Sequence, residues 1–410
     1  MNIDPPHTPE HVKEILKDLT KHYGESLRKL LEIFSDRHEI RLAGETARDI
    51  FMNKMPTKME LVTSASIFEM RRLYSENNIP YSIDEKVATV TPDFYSYKIT
   101  TIWPVADESP QPKGLETIKA FWVINSYKRI FTVDFISIDF ITGRIYNYFN
   151  ACEDIINCRV RMMTPDPDAV IKNDYFMIFK YFKLFGSITG SGRSHDDRTF
   201  TSIMANMSGL ASMKVEVIWN ELKTILLHPK RYECAEPFLA CGGGTFLGLP
   251  ENPNLTEFRR IAKHSNFAKH PLLPISYLCA FLETQDDVAR VHELLRLSVY
   301  ERDLAIFLVK HKATTRHIDH LMYYRQMCLL PSGKNKQICR EYVLELLKYH
   351  NKKSLFEDML MMPSCTLDPV VLQWRKRPIR RIDIETTDGM HDSSSEHSDN
   401  VDGMKEPSFN

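Results

Sequence analysis

Phosphoryl and nucleotidyl chemistry needs hard-oxygen ligands for divalent cations. Two carboxylates at i and i+2 on one strand supply them from a single face. The chain contains such a triplet at Asp166-Pro167-Asp168. Its proline and its place in a connector ahead of a helical run make it a poor metal strand. The eight cysteines are scattered with no C-x-x-C pair, which fits free thiols better than a zinc knuckle or a disulfide frame. Gly242, Gly243 and Gly244 could line a phosphate loop, but no lysine followed by Ser or Thr stands at P-loop spacing, so they read as a plain turn.

The elements that must position any site fall into two textures. Residues 8–35 carry Val12, Ile15, Leu16, Leu19, Tyr23, Leu27, Leu30, Leu31 and Phe34 at helical steps, with Gly24 as a break. From about 38 to 150 short β-rich runs follow: Glu39–Ala43, Glu60–Thr63, Val87–Thr91, Tyr97–Trp103 and Phe135–Phe140, with helical stretches at Thr46–Asn53 and Ser66–Ser75. From about 168 to 360 nearly every segment has helical period, from Asp174–Gly186 through Lys214–Leu227 to Lys336–Tyr349. The fold class expected is α+β, a mixed sheet with helices followed by an all-α half.

The chain has 410 residues, 43% hydrophobic and 26% charged, enough for two or three cores. No run of about 18 apolar residues predicts a membrane span. From Asp383 to the end there are eight acids and one base, a charge of −7, so a chain of net −1 has a body of +6. That tail is too poor in apolar residues to fold, and a mildly basic body permits nucleic-acid binding without requiring it. The first ten residues are neither a secretory signal nor a mitochondrial presequence, so cytosol or nucleus is the expected location.

Six motifs in order carry a resemblance. Leu42-Ala43-Gly44-Glu45-Thr46-Ala47-Arg48-Asp49 stands where a G-G-x-V-R-D pattern would. Tyr146–Met163 reads as aromatic-Phe-Asn, then Glu-Asp-Ile, then alternating basic and apolar residues. Asn173–Phe185 stands at an E-D-x-x-R-x-x-R helix. Gly209–Leu226, Phe246–Phe258 and Gln285–Val288 follow at matching intervals. Together they resemble the class II CCA-adding tRNA nucleotidyltransferase and poly(A) polymerase family, over residues 8–350 and in its eukaryotic form. The resemblance implies a nucleotidyltransferase palm followed by helical neck, body and tail domains that form a curved tRNA-binding surface. The boundaries expected are an N-terminal helix at 1–36, palm 37–162, neck 163–230, body 231–330, a truncated tail 331–382 and an acidic disordered end 383–410.

The resemblance also locates the site, and at each part this chain departs from it. The metal-binding Asp-x-Asp becomes Lys58-Met59-Glu60, so an acid that attracts metal is replaced by a base, leaving Glu60 as the one potential ligand. The paired glycines beside the triphosphate become Gly44 and Glu45, adding bulk and negative charge. R-R-D-x-T-x-N becomes Lys128-Arg129-Ile130-Phe131-Thr132-Val133-Asp134. The base-selecting helix keeps Asp174 but has Met177 and Lys180 for its arginines, and a thioether cannot donate a hydrogen bond to a base edge. Arg48 and Asp49 remain, and read first as a helix-start pair that serves the fold. The degenerate nucleotide site therefore comprises Gly44, Glu45, Arg48, Asp49, Arg129, Asp134, Asp174, Met177 and Lys180.

Damage at four motifs on an intact apolar scaffold predicts a pseudoenzyme, a tRNA- or RNA-binding protein or a protein-interaction scaffold. The alternative is an altered nucleotidyltransferase adding nucleotides to RNA 3′ ends, with Glu60 and either Asp134 or Asp49 supporting Mg2+. No cofactor is expected unless that activity persists. Expected partners are tRNA or another RNA, and protein; no membrane is expected. Among the bases of the helical half, Lys183, Arg193, Lys214 and Lys223 are candidates for RNA contact. The run Arg375-Lys376-Arg377 with Arg380-Arg381 reads as RNA contact, nuclear-import address or solvated spacer.

Overall fold

The computed structural model describes residues 9–35, 37–56, 58–92, 95–104, 114–188, 195–264, 269–328 and 336–361, all within one compact unit. Arg193, Arg375, Lys376, Arg377 and the acidic end lie outside the described residues.

The first half opens with helix α1 (Glu10–Ser35), bent at Gly24, where φ is 54°. A seven-stranded sheet follows, built from β1 (Ile40–Ala43), β2 (Glu60–Thr63), β3 (Tyr81–Asp84), β4 (Val87–Val90), β5 (Tyr97–Thr101), β6 (Ile136–Asp139) and β7 (Ile145–Asn147). Their spatial order is β3-β4-β5-β2-β1-β6-β7, with β2 and β5 parallel and every other pair antiparallel. β1 and β2 are therefore central, and Leu42, Leu61 and Val62 are fully buried. Helices α2 (Gly44–Phe51), α3 (Ile67–Glu76) and α4 (Leu115–Tyr127) belong to this half. Ser66 starts α3 by capping Glu69 N–H while the Glu69 carboxylate accepts from Ser66 N–H, so the turn closes both donors.

The second half is helical: α5 (Ala151–Ile156), α6 (Pro167–Asn173), α7 (Phe176–Ile188), α8 (Asp197–Ala205), α9 (Val215–Leu226), α10 (Arg231–Ala240), α11 (Leu255–Ala262), α12 (Pro274–Leu278), α13 (Gln285–Leu295), α14 (Val299–His311), α15 (Leu321–Met327), α16 (Lys336–Tyr349) and α17 (Lys353–Met361). α7 is its axis. Ile178, Phe179, Tyr181 and Phe182 are buried, and Phe179 and Phe182 pack on Phe238 of α10 with ring centroids 5.4 Å apart in both pairs. The mixed α+β class is as expected from the sequence. The strands β3 and β7 and helices α4, α5, α6, α10 and α17 are additions. α10 carries Pro237 inside it, a residue that argues against a helix when only local pattern is read.

Asp166-Pro167-Asp168 starts α6 rather than forming a metal strand. Asp166 accepts from Ala169 N–H at 3.0 Å, and Asp168 accepts from Asn206 at 2.7 Å. Gly242 has φ 80° and opens a short 3-10 turn, consistent with a turn at the three glycines.

Candidate functional site

The chain leaves β1 at Ala43 and turns into α2 through Gly44, whose φ is 55°. A side chain there would be strained, and its Cβ would run into the Arg129 guanidinium and lie 2.7 Å from Glu60 Oε2. The reason is that Glu60, at the start of central strand β2, and Arg129, after α4, meet directly over this glycine in an ion pair of 2.7 Å. Thr46 in α2 fixes the approach of β2. Its hydroxyl donates to the Lys58 carbonyl at 2.9 Å and accepts from Glu60 N–H at 2.9 Å.

One layer deeper, Arg48 of α2 bonds to Asp134, and both side chains are nearly buried. Lys180 of α7 reaches the other Asp134 oxygen at 3.4 Å and the Arg129 carbonyl at 3.4 Å, tying the helical half to the sheet half. Burial works to raise the Asp134 pKa, but Arg48, Lys180 and Arg129 outweigh it and hold the carboxyl below its ordinary value. Both inner carboxylates are thus already neutralised by the chain's own cations. Lys58 is exposed just ahead of β2, and among the described residues no three His, Cys, Asp or Glu side chains gather in metal-binding geometry. The residue set does not fit a pair of divalent cations: Glu60 and Asp134 are already ion-paired, Asp49 is left as a single carboxylate whose pKa burial raises, and the position before β2 carries a positive charge.

The remaining positions singled out in the sequence are placed as follows. Glu45 points to solvent on the first turn of α2, 3.8 Å from Arg48. Asp49 is half-buried and its pKa is raised, by burial first and by Glu45 and Asp134 in addition. Asp174 is exposed and accepts from Phe176 N–H at 3.0 Å, so it caps α7. Met177 is half-buried one turn on, between that cap and Lys180. Ile130 has φ 71°, a backbone state that β-branched residues rarely adopt. Its carbonyl nonetheless accepts from Met163 N–H at 2.9 Å, holding the Arg129 loop against the strand-like segment before α6. Of the RNA candidates, Lys214 is exposed at the start of α9, whereas Lys223 is engaged by Glu301 at 3.1 Å and by the Trp219 ring.

A second group beside this site is not foreshadowed by any local motif. Lys54, after α2, and Lys230, before α10, both donate to the Ser187 carbonyl at the end of α7, at 3.3 and 3.1 Å. His228 lies against the same serine, 3.0 Å from its hydroxyl. Lys54 and Ser187 are 133 residues apart, and no local spacing could join them.

A mixed sheet whose central strand begins beside a glycine-led helix is joined through Lys180 to a helical half, and this fold has counterparts among solved structures. The chain superposes on a tRNA-processing enzyme with a TM-score of 0.58 at 15% identity, covering 90% of this chain and 96% of that one. It superposes on the Thermotoga maritima CCA-adding enzyme complexed with tRNA at 0.55 and 13%, covering 90% of each. In sequence it is 28% identical to the mitochondrial CCA tRNA nucleotidyltransferase 1 of Homo sapiens over 346 residues, 82% of this chain and 78% of that protein. It is 26% identical to that of Danio rerio over 352 residues, 84% and 80%. No family model matches the chain. It is a divergent relative of the CCA tRNA nucleotidyltransferases. These relatives are mitochondrial proteins, which overturns the cytosolic or nuclear location expected from the first ten residues, and with it the nuclear-import reading of Arg375–Arg381. A ten-residue composition carries little weight against a match of 346 residues.

Proposed function

We propose that this chain is a tRNA nucleotidyltransferase-like protein of mitochondria that holds RNA and no longer adds nucleotides to it. The observation that carries the loss of catalysis is the double ion pairing of the inner carboxylates, Glu60 with Arg129 and Asp134 with Arg48 and Lys180. A cation entering there would have to displace three internal cations that need no reorganisation to bind. The Glu60–Arg129 pair also stands over Gly44, where a triphosphate would need close backbone approach. Base selection has lost its donor set at Met177, while Asp174 is committed to the α7 cap.

The RNA-holding half of the reading rests on similarity to tRNA enzymes and on lysines of the helical half that have no ion-pair partner among the described residues, Lys183 and Lys214 among them. The palm (37–162), neck (163–230) and body (231–330) boundaries fit this reading: the palm supplies the sheet and the spent site, the neck supplies α7. The test is incorporation of radiolabelled CTP and ATP into tRNA lacking its 3′ end, with Mg2+ or Mn2+, beside a gel-shift with the same tRNA. Binding without incorporation is expected. Template-ordered addition of nucleotides would establish the alternative, an altered but active enzyme.

A further inference from the structure

Lys54 and Lys230 donate to one carbonyl oxygen, so their ammonium nitrogens are at most 6.4 Å apart, the sum of two bonds of 3.3 and 3.1 Å. Each ammonium has three donors, and each spends one on Ser187. Both are half-buried, as is Lys183 one turn earlier on α7. Among the described residues no carboxylate lies within ion-pairing distance of Lys54, Lys58, Lys183 or Lys230. The acids nearest the group, Glu45, Asp49 and Glu221, act on it only at longer range. Like charges packed this way are costly: burial first, then Lys230, lower the Lys54 pKa.

A hydrogen-bonded chain fixes the group. Lys230 N–H donates to His228 Nδ1 at 3.0 Å, which leaves the imidazole proton on Nε2, facing Ser187 Oγ at 3.0 Å. Ser187 Oγ in turn donates to the Lys183 carbonyl at 2.6 Å. His228 is pushed down to about 4, by burial and then by Lys183, with Lys54 and Lys230 adding to it against Glu45, so at neutral pH it is a neutral positioning group. One ammonium suffices to close the carbonyl end of a helix. Two on that end, with Lys183 one turn earlier and likewise without an ion-pair partner among the described residues, leave an excess of positive charge where the sheet half meets α7.

We propose that Lys54, Lys183 and Lys230 form a metal-independent phosphate-binding site. Two ammoniums this close can take different oxygens of one phosphate group at roughly 2.8 Å each. The site deepens the RNA-holding reading, on which it rests for its natural ligand: the phosphate of an RNA strand. A free oligophosphate has the same chemistry and is the other source.

The experiment uses the full chain in EDTA. Inorganic tripolyphosphate and a tRNA transcript lacking its 3′ CCA are titrated separately at low and moderate salt. Both bind without metal, and the Lys54→Ala/Lys230→Ala double variant weakens both at least tenfold. Because these two lysines also close the end of α7, the single variant Lys183→Ala, whose ammonium makes no hydrogen bond among the described residues, removes charge alone and weakens both severalfold, and thermal unfolding confirms that it is folded. Tripolyphosphate lost with tRNA unchanged keeps the site and assigns it to free oligophosphate. Wild-type binding of tripolyphosphate but not tRNA keeps the site and sinks the RNA reading. tRNA binding that no lysine variant alters, with tripolyphosphate also unaltered or bound only with Mg2+, overturns the site and leaves the RNA reading standing; the lysines then serve only to close α7.

Discussion

Replacing Asp134 by Asn separates a structural carboxylate from a catalytic one. In a working metal site the acids repel one another, and neutralising one commonly raises stability at the expense of activity. Here Asp134 and Arg48 are 5% and 3% exposed, and the carboxylate is what compensates the buried guanidinium. Leaving one partner of a buried pair without its counter-charge costs about 3–5 kcal/mol. Lys180, 3.4 Å from the second oxygen, also loses its partner, but it is partly exposed and can turn toward water. For a folded unit of this size the unfolding entropy converts that loss to a fall of roughly 5 °C in Tm. The carboxyl is held below its ordinary pKa, so its contribution is fully present above about pH 4 and is lost only as pH falls through the lowered value. Scanning calorimetry at pH 7 therefore reads all of it. The double variant Arg48→Met/Asp134→Leu, which removes both charges, should recover most of the loss. A Tm that stays level or rises in Asp134→Asn would refute the spent-site argument and favour a carboxylate kept free for metal.

Gly44→Ala should destabilise by about 1–2 kcal/mol from the positive φ; chemical denaturation measures it, and a neutral result would contradict the left-handed backbone at Gly44. Ile130→Asn should raise stability by about 1 kcal/mol by relieving a β-branched residue at φ 71°, and a clear loss would show that its packing outweighs the strain. Lys58→Asp alone should give no CTP or ATP incorporation, because Arg129 still holds Glu60; any single-variant rescue would show that Lys58 was the sole defect. His228, His264 and His350 are pushed down to about 4, about 4 and about 3, with burial the leading cause in each. Their unfolded forms bind protons from about pH 6.5 downward while the folded forms do not, so stability should fall as pH drops from about 6.5 to 4. Denaturation midpoints that are flat across that window would contradict the burial of these rings.

The two-texture plan was legible in the sequence because hydrophobic period is local. Glu60–Thr63 and Lys336–Tyr349 have the bounds the pattern predicts, and Gly24 breaks α1 as its missing side chain suggests. The family was legible because six motifs keep their order. The altered positions could be read singly: a base at Lys58, bulk at Glu45, a thioether at Met177. What no single position could reveal is where the freed charges go. Arg48 finds Asp134 across 86 residues, and Lys54 and Lys230 meet at Ser187 from opposite sides of it in the chain. Such pairings are fixed by the packing of α2 and α7 around the sheet, and electrostatic energy depends on distance in space rather than in sequence. The sequence determined which acids and bases are present; tertiary structure decided that Glu60 and Asp134 are paired with arginine and lysine, and that Lys54 and Lys230 meet at the end of α7.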